Sequence, residues 1–234
     1  MKRIFLALAA LTAICMGASA QDNFLSPDGT YMYERRDTCD LFMDVYNPAE
    51  GSEDTFMGVR KPTVVFMFGG GFIQGTRDDK SYNSWFRMLT ENGYRVISID
   101  YRLGLKGTSK VGIAQVNILD KAIHIAVEDL FSATNFILDN AEQLGVERDN
   151  IVISGSSAGA ITVMQAEYEI SNRTSWAAVL PEGFNYAGVM SFSGAILSRE
   201  GKVNYKNRPC PTLMLHGTSD ELVPYKQIAV FNLG

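Results

Sequence analysis

The stretch IVISGSSAGA, residues 151–160, begins as a short β-branched run and continues as glycine, serine and alanine. A buried strand that passes directly into a helix rich in small residues needs a very tight turn, which pushes one side chain over the carboxyl edge of a sheet. Ser157 is the residue so placed, and Gly155 and Gly159 leave its surroundings almost free of side chains. The hydroxyl of Ser157 would then lie beside the start of the helix, where backbone N–H groups favour a developing negative charge. Ser157 is therefore predicted to be a nucleophile. The alternative is a simple Gly/Ser turn.

Strands and helices are predicted to alternate on both sides of this turn. Apolar runs of strand length lie at 41–46, 63–68, 95–100, 150–154, 188–192 and 212–216. Stretches typical of helices lie at 81–91, 118–144, 158–169 and 222–231. The run TVVFMF at 63–68 is continuous in apolar residues, as in a central strand buried on both faces. The alternation predicts an α/β fold: one domain with a mostly parallel central sheet flanked by helices.

Three glycines in a row follow the predicted strand at 63–68, in the segment FGGGF at 68–72. Such a loop lets backbone N–H groups converge on one point without intervening side chains. Gly70 and Gly71, with the N–H of Ala158 after the serine, are predicted to form an oxyanion hole. The alternatives are a flexible strand-to-loop transition or an anion-binding loop. A nucleotide site is disfavoured, because no GxGxxG or GxxxxGK[ST] pattern follows.

A carboxylate follows the last predicted strand, in the segment LHGTSDELVP at 215–224. At this edge of the sheet a carboxylate can orient a catalytic imidazole and stabilise its positive charge. Asp220 is the residue predicted for this role. Glu221 is the alternative, but it opens the predicted helix at 222–231 and suits that helix's solvated first turn better.

Four motifs occur in order along the chain: GGGF at 69–72, DYRL at 100–103, GSSAG at 155–159 and HGTSDELVP at 216–224. Together they resemble the α/β-hydrolase superfamily, most closely its carboxylesterase and hormone-sensitive-lipase-like branches. The resemblance covers nearly all of the chain after the N-terminal segment. It implies the α/β-hydrolase fold, a Ser–Asp–His triad with Ser157 and Asp220, no metal or cofactor, and hydrolysis of small-molecule esters through an acyl-enzyme. One departure is Phe68, which stands where the family often has a histidine that shapes the glycine loop.

The triad also needs a histidine to take the serine proton. The chain has two histidines. His124 lies inside the predicted long helix and is expected to be a surface or packing residue. His216 ends a predicted strand where the family also has a histidine that is not the base, and it stays the alternative base. The resemblance places the base one strand later, so the catalytic histidine is expected beyond Gly234 and the chain is expected to lack its last strand and helix.

The N-terminal segment has the layout of a secretory signal peptide. Met1-Lys2-Arg3 is cationic, residues 4–17 are apolar, and Ala18-Ser19-Ala20 is typical of a cleavage site. We therefore expect cleavage after Ala20, a secreted or periplasmic protein, and a hydrolase domain over 21–234. A buried N-terminal helix is the alternative.

The formal charge of −5 argues against nucleic acid or an anionic membrane surface as a partner. No later apolar run approaches the length of a membrane span. The resemblance places the strands that follow Cys39 and Cys210 several strands apart, which implies two unpaired thiols.

The predicted function is that of a secreted serine esterase acting on carboxylic esters, carbohydrate-linked esters included. A peptidase of the prolyl-oligopeptidase type shares GxSxG and the HGTxDxxVP segment, although the GGGF loop favours an esterase. A binding protein without activity on the same fold is the second alternative.

Overall fold

The computed structural model describes residues 24–107, 116–198 and 202–226, so the predicted signal peptide lies outside the described residues. Within these ranges seven strands form one sheet. They are β1 (Gly29–Arg36), β2 (Cys39–Tyr46), β5 (Thr63–Met67), β6 (Arg95–Ile99), β7 (Ile151–Ser156), β8 (Gly188–Phe192) and β9 (Thr212–Leu215). Their spatial order is β1-β2-β6-β5-β7-β8-β9. A separate hairpin consists of β3 (Thr55–Phe56) and β4 (Val59–Arg60).

The central part of the sheet is parallel. Strand β5 pairs in parallel with β6 and β7, and β8 and β9 continue in the same direction. Strands β1 and β2 run antiparallel at the other end. All five residues of β5 are buried, which confirms the prediction of a strand covered on both faces. The predicted α/β class with a mostly parallel sheet is therefore confirmed.

Helices flank the sheet. They are α1 (Asn83–Glu91), α2 (Val116–Asp139), α3 (Ala141–Leu144) and α4 (Ala158–Asn172). Helix α4 packs on β7 and β8 and against α2. In α1, Phe86 packs edge-on against Phe66 of β5, with ring centroids 5.2 Å apart. Among the described residues no helix is long and apolar enough to cross a membrane.

Two predicted helices differ from the structure. The helix predicted over 118–144 is interrupted at Asn140, where α2 ends and α3 begins. The helix predicted over 222–231 is wrong as far as the structure describes it, because residues up to Lys226 form turns and bends; 227–231 lie outside the described residues. Here the side chain of Asp220 accepts from the backbone N–H groups of Leu222 and Val223 and holds them in a turn.

The register of the sheet brings the ends of three strands to one level. Ser156 pairs with Phe192, and Phe192 pairs with Leu215. Because neighbouring strands lie about 4.8 Å apart, the ends of β7 and β9 are about 10 Å apart. The residues that follow these strands therefore share the carboxyl edge of the sheet.

The two described cysteines lie far apart. Cys39 begins β2 and Cys210 precedes β9, and four strands separate β2 from β9. Both thiols are free. At about 4.8 Å per strand the distance exceeds the ~7 Å limit between the Cα atoms of a disulfide several-fold.

Candidate active site

Ser157 occupies a strained turn between β7 and α4. Its φ of 50° and ψ of −114° lie outside the regions that serine usually adopts. The turn is held by two hydrogen bonds: the Ser157 N–H donates to the Phe192 carbonyl at 2.8 Å, and Ile161 donates to the Ser157 carbonyl at 2.9 Å. The side chain of Ser157 is partly exposed at the carboxyl edge of the sheet.

The glycines on either side of Ser157 are required by close backbone contacts. A Cβ atom on Gly155 would lie 2.3 Å from the carbonyl carbon of Gly159. A Cβ atom on Gly159 would lie 2.1 Å from the carbonyl oxygen of Met67 at the end of β5. The start of α4 thus presses directly on β5 and β7, as the predicted strand-to-helix turn demands.

The glycine loop lies against Ser157. A Cβ atom on Gly69 would be 3.1 Å from the Ser156 carbonyl oxygen and 3.3 Å from Ser157 Cβ. Gly70 has a φ of 127°, and its carbonyl accepts from the N–H of Gln74 at 3.2 Å. A Cβ atom on Gly70 would lie 1.9 Å from the Gln74 carbonyl oxygen, so this tight loop excludes side chains.

The N–H groups of Gly70, Gly71 and Ala158 have no acceptor within the described part of the chain. Ala158 is buried, with 1% of its surface exposed. A buried N–H without a protein acceptor normally meets water or a ligand. Among the described residues these three N–H groups are thus left without an internal acceptor; Ala158 follows Ser157 in the chain, and Gly70 and Gly71 follow Gly69, which lies against Ser157. Their role in catalysis stays a prediction.

Asp220 lies in the loop after β9. Its Oδ1 accepts from the N–H groups of Leu222 at 3.0 Å and Val223 at 2.9 Å. These bonds, Val223 first, together with Ser193 and His216, lower the pKa of Asp220, so the carboxylate is ionised at neutral pH. Its side chain is 18% exposed, whereas the alternative residue Glu221 is exposed.

The two histidines differ in their surroundings. His216 Nε2 lies 2.7 Å from the Val223 carbonyl and 3.5 Å from Asp220 Oδ2. His124 stacks on Trp176, with ring centroids 4.6 Å apart, which agrees with its predicted packing role. Among the described residues, neither histidine forms a hydrogen bond with Ser157. The position expected for the base, beyond Gly234, is not described.

The DYRL motif supports the glycine loop. Asp100 accepts from Arg77 Nη1 at 2.8 Å, and Arg77 Nε lies 3.0 Å from buried Asp44. The Tyr101 hydroxyl donates to the Phe68 carbonyl at 2.9 Å, and the two rings stack 4.4 Å apart. The contact of Tyr101 fixes the start of the glycine loop, and the Arg77 contacts fix the segment that follows it; apart from the motif itself, no sequence pattern predicts them.

Ser193 lies between Ser157 and Asp220, and no sequence pattern predicts it there. It follows β8 with a φ of 57°, donates its N–H to the Leu215 carbonyl at 2.8 Å, and hydrogen-bonds to Asp220. Because Phe192 beside it accepts from Ser157, this short segment connects the serine with the carboxylate. No pattern in the sequence places the end of β8 between the two.

A groove of about 760 Å³ lies at the opposite edge of the sheet from Ser157. It is lined near the amino ends of the strands by residues that include Val64, Val152, Gly188 and Thr212. It is therefore separate from the candidate site. Within the described ranges, no group of three or more His, Cys, Asp or Glu side chains could hold a metal ion.

Comparison with known sequences identifies a family and several relatives. The BD-FAE family model matches residues 43–174. Esterase-5C of Drosophila pseudoobscura pseudoobscura is 30% identical over 123 residues, which are 53% of this chain and 20% of that protein. The probable N-octanoylanthranilate hydrolase AqdA2 of Rhodococcus erythropolis is 29% identical over 104 residues, 44% of this chain and 21% of that protein. The chain spans about a fifth or less of the length of such curated relatives.

Solved structures with the same fold include esterase 2 of Thermogutta terrifontis. Its native form has a TM-score of 0.60 and 24% identity, covering 84% of this chain and 72% of that one. The form phosphoramylated by tabun has a TM-score of 0.60 and 22% identity, covering 84% and 74%. The predicted α/β-hydrolase fold is thereby confirmed.

Proposed function

This chain belongs to the BD-FAE family, and from that premise we propose that it is a serine hydrolase of carboxylic esters with Ser157 as its nucleophile. The observation that carries the proposal is the strained conformation of Ser157 between two glycines that admit no side chain. Strain of this kind persists only where the surrounding structure enforces it. Relatives named as esterases support the same reaction class.

In the proposed reaction, Ser157 Oγ attacks the carbonyl carbon of the ester and its proton passes to the base. The negative charge that develops on the carbonyl oxygen is stabilised by the N–H groups of Gly70, Gly71 and Ala158. The base then protonates the leaving alcohol as the C–O bond breaks, which leaves an acyl group on Ser157. Water, activated by the same base, releases the acid and restores the serine.

Asp220 is proposed to orient the base. Its Oδ1 accepts from two backbone N–H groups, and its Oδ2, which lies 3.5 Å from His216 Nε2, is the oxygen proposed to face the imidazole of the base. We propose that this imidazole is that of the triad histidine implied by the family resemblance, a residue that the described part of the chain does not include. His216 is less suitable, because its Nε2 lies within hydrogen-bonding distance of the Val223 carbonyl.

The finer assignments are secretion and substrate class. The composition of residues 1–20 supports export with cleavage after Ala20, which mass spectrometry of the mature protein would test. Carbohydrate-linked esters are proposed among the substrates. Acetylated and feruloylated sugars should be assayed beside p-nitrophenyl acetate, butyrate and octanoate, with a prolyl-p-nitroanilide peptide as the test for a peptidase.

The nucleophile is tested with a fluorophosphonate probe on the full-length protein. We expect labelling at Ser157, and we expect Ser157→Ala to abolish both labelling and ester hydrolysis. The neighbouring variant Ser156→Ala is the matched control and should keep both. Labelling that survives Ser157→Ala, or that maps to Ser154 or Ser156, would refute the assignment.

A further inference from the structure

Tyr82 holds the first glycine of the loop. It ends the 3₁₀ turn Lys80–Tyr82 directly before α1. Its hydroxyl oxygen accepts from the N–H of Gly69 at 2.9 Å. The ring lies edge-on to Phe66 at 4.7 Å and stacks on Phe86 at 6.2 Å, and both phenylalanines are buried. The position of this hydroxyl is therefore fixed by packing and by a hydrogen bond.

The hydroxyl hydrogen of Tyr82 has no acceptor within the described ranges of the chain. A phenol can accept and donate at once, and here only its accepting capacity is used. Tyr101, on the other side of the same loop, differs in this respect because it donates its hydrogen to the Phe68 carbonyl. Of these two tyrosines, Tyr82 alone retains a hydrogen for a ligand.

The hydroxyl oxygen of Tyr82 lies against the same glycine as Ser157. A Cβ atom on Gly69 would be 3.4 Å from Tyr82 Oη and 3.3 Å from Ser157 Cβ. The sum of these distances, about 6.7 Å, is the upper limit for the separation of Tyr82 Oη and Ser157 Cβ. This limit puts Tyr82 Oη within reach of an ester bound at Ser157, since a hydrogen bond to its carbonyl oxygen spans about 2.7 Å and the reacting atoms start about 3 Å apart.

We propose that Tyr82 is a further catalytic residue, which donates its hydroxyl hydrogen to the ester's carbonyl oxygen as that oxygen becomes negative. The same oxygen atom of Tyr82 holds the N–H of Gly69. The proton stays on Tyr82 throughout, and the serine proton still passes to the base. This inference rests on the proposed function and adds a side-chain donor to the three backbone N–H groups.

The test is Tyr82→Phe, which keeps the ring and removes the hydroxyl. We expect kcat for p-nitrophenyl butyrate to fall about 100-fold, as for other oxyanion donors. A donor that acts only in the transition state leaves KM within about two-fold of the wild-type value. Tyr101→Phe measures the effect of loosening the same loop. It should lower kcat by less than about ten-fold, since the Tyr101 hydroxyl bonds only to a backbone carbonyl.

Tyr186→Phe is the control for loss of a buried hydroxyl, because Tyr186 bonds to Thr134 away from the site at 2.7 Å. It should leave kcat unchanged. Equal losses of kcat in Tyr82→Phe and Tyr101→Phe would overturn the inference, because loop support would then explain both. An unchanged kcat in Tyr82→Phe would overturn it as well.

The rate of fluorophosphonate labelling is a second readout, since it needs the oxyanion site but no turnover. We expect Tyr82→Phe to slow labelling. The midpoint of thermal unfolding should change no more in this variant than in Tyr101→Phe. If the wild-type protein neither hydrolyses esters nor labels, the proposed function fails and this inference fails with it. An active wild type whose Tyr82→Phe variant labels at the same rate contradicts this inference alone.

Discussion

Backbone strain is concentrated around Ser157. In the described residues five non-glycine residues have positive φ, and Phe72, Ser157 and Ser193 among them lie in the glycine loop, the serine turn and the loop after β8. Each such residue costs about 1–3 kcal/mol, which the packing of the sheet must offset. The other two, Met57 and Arg173, occupy a hairpin turn and a helix end. The strain therefore marks the candidate site rather than the fold in general.

Gly159→Ala is a variant in which helix propensity and packing have opposite effects on stability. In an ordinary helix this change would stabilise the protein by about 1 kcal/mol. Here the new Cβ would lie 2.1 Å from the Met67 carbonyl oxygen, so we expect the free energy of unfolding to fall by about 2–3 kcal/mol or more. Urea unfolding followed by circular dichroism measures the difference.

The control for this variant is Gly183→Ala. Gly183 has a φ of 77°, but no atom lies within 4 Å of the added Cβ. Its free energy of unfolding should fall by only about 1–2 kcal/mol, which is the cost of a residue with a Cβ atom in the left-handed conformation. A Gly159→Ala protein as stable as wild type would show that the contact between α4 and β5 is looser than described.

At the scale of elements, the central strands and the helices that pack on them could be predicted from the sequence, and so could β9, whose four residues are exposed. Strands β5 to β9 are short continuous apolar runs, and their predicted bounds agree with the structure to within one residue at most ends. Strand β1, GTYMYERR, was missed because it is an edge strand with many polar residues and only one buried position. The predicted helix after Asp220 failed because a side-chain hydrogen bond favours a turn there.

Helices α2 and α4 contact each other through a histidine and a glutamate. His124 of α2 has its Nε2 3.7 Å from Glu169 Oε1 of α4, and its Nδ1 faces Asp120 of its own helix. Glu169, aided by Asp120 and against the effect of burial, raises the pKa of His124. When the pKa of a histidine is higher in the folded protein than in the unfolded chain, its protonation stabilises the fold. This stabilisation is complete at pH values below the pKa in the unfolded chain, about 6.5, and is lost as the pH rises through the pKa in the folded protein.

We therefore expect the difference in unfolding free energy between wild type and His124→Gln to be larger at pH 5.5 than at pH 8.5. Loss of the Trp176 stack in the variant contributes to the difference at both pH values, and more where the imidazole is charged. Glu169 has a lowered pKa and stays ionised over this range, so it does not reverse the trend. A difference that is constant with pH would mean that the pair does not contribute.

At the scale of the whole molecule, the site is assembled from segments distant in sequence. The location of Gly70, Ser157 and Asp220 could be predicted because each follows a recognisable strand, and parallel strands end at one edge; their catalytic roles stay predictions. Tyr82 and Ser193 could not, because their contacts depend on which strands become neighbours and on their register. The residues of a turn can be recognised from the local sequence. The order of the strands depends on the entire sheet and cannot.

The N–H groups without an internal acceptor at Gly70, Gly71 and Ala158 also have a consequence for hydrogen exchange. Backbone amides bonded within a central sheet exchange slowly, while amides without an internal acceptor exchange through the solvent that reaches them. In the free protein we expect Gly70, Gly71 and Ala158 to exchange their protons much faster than Ser157, whose N–H is bonded to Phe192. After reaction with a fluorophosphonate, the phosphonyl oxygen would accept from these amides and slow their exchange. Nuclear magnetic resonance of the two forms would detect this change, and equally slow exchange of all four amides in the free protein would contradict it.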